Sequence, residues 1–388
     1  MTFMVDLGII TLSCLALGLA SKYLRQASIP AYIIAGLILG KSGLDLISSY
    51  EFVQWLGKIG IILLMFYIGH EFHYKGLKEA GRFFAGCTDF GVNFIIGFLL
   101  GLVIGLSILE AFILASAVYI SSSAIVISSL IENKRLIYPE AETVVWLMVF
   151  EDIILAIMLV VLTSSMSGTF VMIPVSLATT LLLIAFILVI IRRLSNFISP
   201  LFERDDEIPI LLIFALIFGF SAIAHLLNVS EVIVAFFLGS ALSGVKSFRK
   251  LFGATISFKN LFLTIFFFSF GMMFQVTTLP LSDFVLALLA LITLAIIGKF
   301  VSGAIIGKRL YDSLETGLRI GAYTTPRGEF SIVLLAVLLG MGTGISELLI
   351  SLVIACVIIL SIIGSFFARH GNRISKAMVS LRSSSFKG

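Results

Sequence analysis

Residues 144–162 read VVWLMVFEDIILAIMLVVL, a run that is apolar apart from Glu151 and Asp152 at its centre. About 20 residues of this kind are what an α-helix needs to cross a hydrocarbon core of about 30 Å. A carboxylate at that depth costs several kcal/mol unless it is paired, hydrated or protonated, and such groups line ion or proton pathways. The stretch therefore predicts a membrane-spanning helix carrying two acids at mid-depth.

The rest of the chain agrees with this reading. Of its 388 residues 60% are hydrophobic and 12% charged, and the mean hydropathy is +1.17. A soluble domain of this size could not hide so much apolar surface, so the fold class is an all-α integral membrane protein. About thirteen segments are long and apolar enough to span, at 5–23, 29–47, 52–71, 83–108, 110–130, 142–164, 169–191, 208–227, 230–245, 260–277, 283–306, 315–340 and 345–368. If they alternate across the bilayer, the joints holding Lys22 and Arg25, Lys134 and Arg135, Arg192, Arg193 and Arg204, and Lys308 and Arg309 fall on one side with the basic tail 369–388. The positive-inside rule then puts the N-terminus outside and the C-terminus in the cytoplasm, in the cytoplasmic membrane. Cys14, Cys87 and Cys356 lie in apolar segments without metal-ligand spacing and are read as packing residues. No Walker loop or TVGYG-like filter is present, which disfavours ATP drive in this chain and a selective potassium channel of that type.

An odd number of spans gives the two halves, 5–164 and 208–368, opposite orientation about a linker helix at 169–191. This is the inverted-repeat plan of many secondary transporters, whose matching segments are often interrupted helices at the binding site. The fifth segment contains Ser121, Ser122 and Ser123, and its counterpart, the twelfth, contains Thr324, Thr325, Pro326, Arg327, Gly328 and Glu329. Pro326 removes a backbone donor, Gly328 loosens the chain, and the hydroxyls offer substitute partners. Both segments are predicted to break there; the three serines taken alone could serve close helix packing, a reading that the matching break in the other half weakens.

Each buried charge carries its own expectation. Asp152 is the candidate ion and proton carrier, because a desolvated carboxylate can exchange a proton for a hard cation such as a metal ion near neutral pH. Glu151 lies about 100° further round the helix, so one acid is expected to meet a cavity and the other a base. Lys299, mid-way along its segment, needs an acidic neighbour, with Glu151 or Asp152 the natural choice; it could couple to ion binding or form a fixed pair. Arg327 and Glu329 are expected to neutralise each other or Glu151. Counting Glu151, Asp152 and Glu329 against Lys299 and Arg327 leaves one negative charge in excess, suited to one cation or proton. Lys58 and Asp89 are read as lying near helix ends, snorkelling or paired. His70 and His73 are read as solvated, and Glu231 as a helix-start charge that could also decorate a cation funnel.

The stretches IPAYIIAGLILGKSGL at 29–44, GIILLMFYIGHEF at 60–72, SSSAIVISSLIE at 121–132, VFEDIILAIMLVV at 149–161, VAFFLGSALS at 234–243, FFFSFGMMF at 266–274 and GEFSIVLL at 328–335 occur in an order and spacing that resemble the monovalent cation/proton antiporter family. The similarity is to its branch of Kef-type potassium/proton and Nap-type sodium/proton antiporters. The resemblance implies a mobile core with crossed discontinuous helices beside a dimerisation scaffold. It implies that Asp152 is the ion-binding aspartate, Lys299 the core lysine, and Ser121–Ser123 with Thr324–Gly328 the crossing. It implies exchange of sodium or potassium for protons by alternating access, a homodimer, no enzymatic activity and no cofactor. Before the aspartate the family carries Asp in electrogenic sodium exchangers, Asn in electroneutral ones and Gln in Kef-type proteins, whereas this chain has Glu151. The Kef resemblance also implies a nucleotide-binding regulatory domain, which is not expected in the short tail 369–388, so the alternative expectation is a ligand-gated potassium efflux pathway governed by a separate cytosolic subunit.

Overall fold

The computed structural model describes residues 3–24, 26, 28–71, 80–132, 134–135, 137–166, 173–245, 248–273, 281–340 and 344–385. Among these residues all regular structure is helical. The first half comprises α1 (Phe3–Tyr23), α2 (Ser28–Leu39), α3 (Tyr50–Glu71), α4 (Ala80–Val103), α5 (Ile108–Tyr119), α6 (Ser123–Glu132) and α7 (Pro139–Met166). A long helix, α8 (Ile173–Phe202), leads into α9 (Ile208–Leu226), α10 (Glu231–Leu242), α11 (Phe248–Met272) and α12 (Leu281–Tyr311). The chain ends in α13 (Leu314–Thr324), α14 (Glu329–Gly340) and α15 (Glu347–Ser385). Eight of these helices are long and apolar enough to cross a membrane, and shorter apolar helices accompany them, as in a multi-pass membrane protein.

Two segments expected to be interrupted are each built as two helices. The first pair is α5 and α6, with Ile120, Ser121 and Ser122 between them, and the second is α13 and α14, with residues 325–328 between them. The local sequence explains both starts. Gly105 turns the chain at φ +85°, and Ser107 then caps α5 in a capping box, its Oγ accepting from the Glu110 N–H while Glu110 accepts from the Ser107 N–H at 3.1 Å. Asp312 takes φ +48°, after which the Ser313 Oγ accepts the Thr316 N–H at 3.2 Å to open α13. Boundaries differ from the sequence reading at several helix ends, among them the end of α2 at Leu39. The connector helix runs to Phe202, α11 begins at Phe248, and residues 369–385 continue α15 instead of forming a separate tail. The last residues of the expected tail, 386–388, and His73 lie outside the described residues.

Packing sorts the helices into two groups. In the first, α3 lies on α10 and α11, α2 on α11 and α1, and α10 on α8 and α9. Backbones meet there because glycine removes the side chain in between: a Cβ on Gly69 would overlap the Phe236 carbonyl, and one on Gly239 the Phe66 carbonyl. The Phe66 and Phe202 rings meet the Phe248 ring edge-on beside this seam. In the second group α4 packs on α5, α7 and α12, and α13 on α12, α15 and α7. The groups touch through α7 with α8 and α10 and through α2 with α15.

Candidate functional site

The two interruptions face each other. The Ser122 N–H donates to the Pro326 carbonyl at 2.8 Å, and the Ser121 Oγ donates to the Thr324 carbonyl at 2.8 Å. A Cβ on Gly328 would overlap the Ser122 side chain, and one on Gly364 of α15 would overlap Pro326. Unwound backbone at membrane depth needs internal partners, and the breaks supply them to one another. Four helix ends meet at this crossing, the C-terminal ends of α5 and α13 and the N-terminal ends of α6 and α14.

Charges are placed to suit those ends. The Arg327 guanidinium donates to the Val118 carbonyl of α5 and to the Thr324 and Thr325 carbonyls at 3.1 and 2.7 Å, so one cation serves both C-terminal ends. Glu329 opens α14, and Ser122 Oγ donates to its Oε2 at 3.4 Å, placing this acid at both N-terminal ends. Helix termini of opposite sign are thus met by side chains of the complementary charge. Thr325 Oγ1 turns back to the Gly321 carbonyl at 2.8 Å, and Ser361 Oγ holds the Arg327 carbonyl at 2.8 Å.

Beside the crossing, Lys299 of α12 is fully buried. Its Nζ donates to Asp89 Oδ2 of α4 at 2.7 Å and to Glu151 Oε1 of α7 at 2.8 Å, and stands 5.1 Å above the Tyr119 ring. Glu151 also accepts from the Ser121 N–H, and its Oε1 lies 2.9 Å from Ser121 Oγ, whose one proton is shared between this carboxylate and the Thr324 carbonyl; both contacts tie the acid to the first break. Asp89 Oδ1 accepts from Ser302 Oγ at 2.7 Å and Asn93 Nδ2 at 3.0 Å. Asp152, one residue after Glu151, is half-buried on the next face of α7. Ser121, Ser122, Thr324, Thr325 and Arg327 are buried in the crossing, and Ser123 is the half-buried first residue of α6.

Three expectations change. Arg327 is bonded to carbonyls, not to Glu329 or Glu151, because helix ends lie closer to it than any acid. Asp89 is deep in α4 and bound to Lys299, so the central sum has four carboxylates against two cations and an excess of two negative charges. A span starting at residue 83 sets Asp89 less than two turns from its end, whereas α4 begins at Ala80 and nine helical residues, 80–88, precede it; the i, i+4 pair Asp89 and Asn93 inside an apolar run was the available signal. His70 is buried against the Phe248 ring at 5.0 Å, not solvated.

A cavity of about 930 Å³ opens between α3, α9, α10, α11 and α14, lined by Trp55, Lys58, Glu231, Phe266 and Val337 among others. At its rim Glu231 Oε1 meets Lys58 Nζ at 2.9 Å and His225 Nδ1 at 3.0 Å. The expected helix-start acid is thus joined to the lysine expected to pair.

Comparison with known proteins fits this architecture. The family model "Sodium/hydrogen exchanger, transmembrane" matches residues 9–369. The chain is 31% identical over 382 residues to the K(+)/H(+) antiporter subunit KhtU of Bacillus subtilis, covering 95% of this chain and 93% of that protein. It is 27% identical to a Na(+)/H(+) antiporter of Enterococcus hirae, covering 85% of this chain and 89% of that one. The fold resembles that of the sodium proton antiporter MjNhaP1 from Methanocaldococcus jannaschii, with a TM-score of 0.64 at 16% identity over 97% of this chain and 99% of that one. A charged crossing of two broken helices, matched along nearly its whole length by a single family, places this chain in the transmembrane sodium/hydrogen exchanger family.

Proposed function

We propose that the protein exchanges a monovalent cation, sodium or potassium, for protons by alternating access, with Asp152 as the carboxylate at which the two compete. The observation that carries this is the differing exposure of the acidic pair. Glu151 is buried against Lys299 and Ser121, whereas Asp152, on the next face, is half-buried. A carboxylate in that setting can hold a proton or a hard cation but gains little from both together, and this competition couples the two fluxes. The names of relatives support the activity: K(+)/H(+) and Na(+)/H(+) antiporters.

The group containing α4–α7 and α12–α15 is the moving core of this reading, and the glycine-packed group containing α1–α3 and α8–α11 is its scaffold and homodimer surface. The contacts support inverted repeats: α2 lies on α11 as α10 lies on α3, α4 on α5 as α12 on α13, and α5 on α14 as α13 on α6. The protein sits in the cytoplasmic membrane with its N-terminus outside, so that the cavity bordered by Glu231 opens outward. Two relatives are named as antiporter subunits, KhtU and the ammonium/H(+) antiporter subunit AmhT of Alkalihalophilus pseudofirmus. That naming supports a further subunit here, which in this reading is a separate cytosolic regulatory one; a gated potassium efflux pathway governed by it is the second reading.

Purified protein in liposomes tests the proposal. Sodium or potassium added outside acid-loaded vesicles should release the proton gradient, and Asp152→Asn should abolish the release. Normal exchange by Asp152→Asn would remove Asp152 from the mechanism, and unitary currents without proton counterflow would favour the gated pathway.

A further inference from the structure

Lys299 is held from two sides, and the second side is the informative one. A buried ammonium with a single carboxylate partner is stranded whenever that partner turns to another task, and an unpaired buried charge is costly. Here Asp89 Oδ2 contacts Nζ at 2.7 Å, as close as Glu151 Oε1 at 2.8 Å. Asp89 itself cannot easily swing away, because Ser302 Oγ and Asn93 Nδ2 occupy its other oxygen. Ser302 is on the same helix as Lys299, and its Oγ also lies 3.1 Å from the Lys299 carbonyl, so Asp89 fastens α4 to α12 at two successive points. Glu151 is anchored differently, to the backbone of the first break. The two acids therefore attach Lys299 to two different parts of the core.

We infer that Asp89 is a positioning residue of the exchange site, anchoring Lys299 on α4 throughout the cycle so that the lysine serves as a stationary counter-charge and not as a proton carrier. The inference rests on the proposed exchange at Asp152. Its consequence is stoichiometric: the cation and a single proton alternate at Asp152, Lys299 keeps its proton, and one positive charge crosses in each direction. Exchange is then indifferent to membrane potential. The charged and titratable groups around the Asp89 and Lys299 pair are Glu151 of α7, with Oε1 2.8 Å from Lys299 Nζ, Tyr119 of α5, whose ring lies 5.1 Å from Nζ, and Arg327 of the second break, within electrostatic reach of Asp89.

The experiment uses the full chain in liposomes, with cation-driven proton flux followed at several pH values and at imposed potentials set by an ionophore for an ion the protein does not carry. Asp152→Asn comes first: if it still exchanges, the site assignment fails, whatever holds Lys299. With that loss in hand, the wild type is expected to change rate less than about twofold over 100 mV, where a net charge crossing the whole field would give about fifty-fold. Asp89→Asn leaves Lys299 dependent on Glu151 alone, and is expected to shift the pH profile of exchange and to make it respond to potential. A potential-dependent wild type would overturn the inference, as would an Asp89→Asn protein with the parent's pH profile and potential response. If Asp89→Asn is not recovered as folded protein, Ser302→Ala, which loosens Asp89 without removing its charge, replaces it with the same expected shift and the same overturning result.

Discussion

The α3 and α10 seam and the crossing of α5–α6 with α13–α14 are both places where backbones come into direct contact, yet they are built from opposite materials. At the seam, Gly69 and Gly239 bring the two helices together among the rings of Phe66, Phe236 and Phe248. Both helices stay continuous, and their carbonyls are satisfied within them. At the crossing the backbones meet where helices have stopped, and the orphaned groups are met by Arg327, Glu329, Ser121 and Ser122. The lesson is that close approach alone does not make a site. Broken helices leave unspent partial charges at membrane depth, and only there does the sequence invest buried ions.

Adding a methyl group at each place separates the two kinds of contact. Gly239→Ala sets a Cβ against a main-chain carbonyl that cannot move aside, and overpacking of this kind costs about 1–3 kcal/mol or more. A clear fall in melting temperature in detergent is the expected outcome, and an unchanged value would show that the seam is loose. Gly328→Ala sets its methyl against Ser122 Oγ and Cβ, and because Cβ is fixed by the backbone of the first break, relief requires the two breaks to part. Exchange should drop by about ten- to a hundredfold, since small misplacements of an ordered site are felt strongly, whereas Gly239→Ala should leave exchange per folded molecule much closer to the parent. Flux and melting measured on the same preparation check this, and equal losses at both glycines would erase the distinction.

The smallest effect is expected far from either place, in the loop between α8 and α9. Hydrogen bonding to the Arg204 guanidinium holds the Asp206 carboxyl below its usual range, with the Ile208 N–H assisting. A carboxyl lowered in the folded state adds stability above its ordinary value of about 3.9 and loses it as pH falls. Because the group is fully exposed, the gain is slight. Melting curves of Asp206→Asn and the parent should nearly superimpose at neutral pH and coincide in acid; a large gap at neutral pH would reveal a structural role for this loop.

Much of this was legible in the order of residues. The breaks could be read because Ser121–Ser123 and Pro326–Gly328 are poor helix interior, and the acidic pair because nothing else in 144–162 is polar. The partner of Lys299 was legible only as a requirement. Glu151 met it as foreseen, but Asp89 did not announce itself: its depth depends on where α4 begins and on α4 lying against α12, a tertiary fact. Arg327 was misread for a related reason, since sequence lists the acids available to a base but not the carbonyls that two helix ends deliver to it. His70 is buried against Phe248, a residue 178 positions away in the chain.

One helix carries the crossing beyond the bilayer. α15 has 39 residues, about 58 Å at 1.5 Å per residue, against a hydrocarbon thickness of about 30 Å. Gly364 lies against Pro326 near its middle, leaving about 30 Å of continuous helix on the far side of that fulcrum. A tilt of about 10° at the proline would sweep the distal end through about 5 Å by simple leverage. Any tilt of α15 about Gly364 would therefore be read at its distal end as a shift of several ångströms.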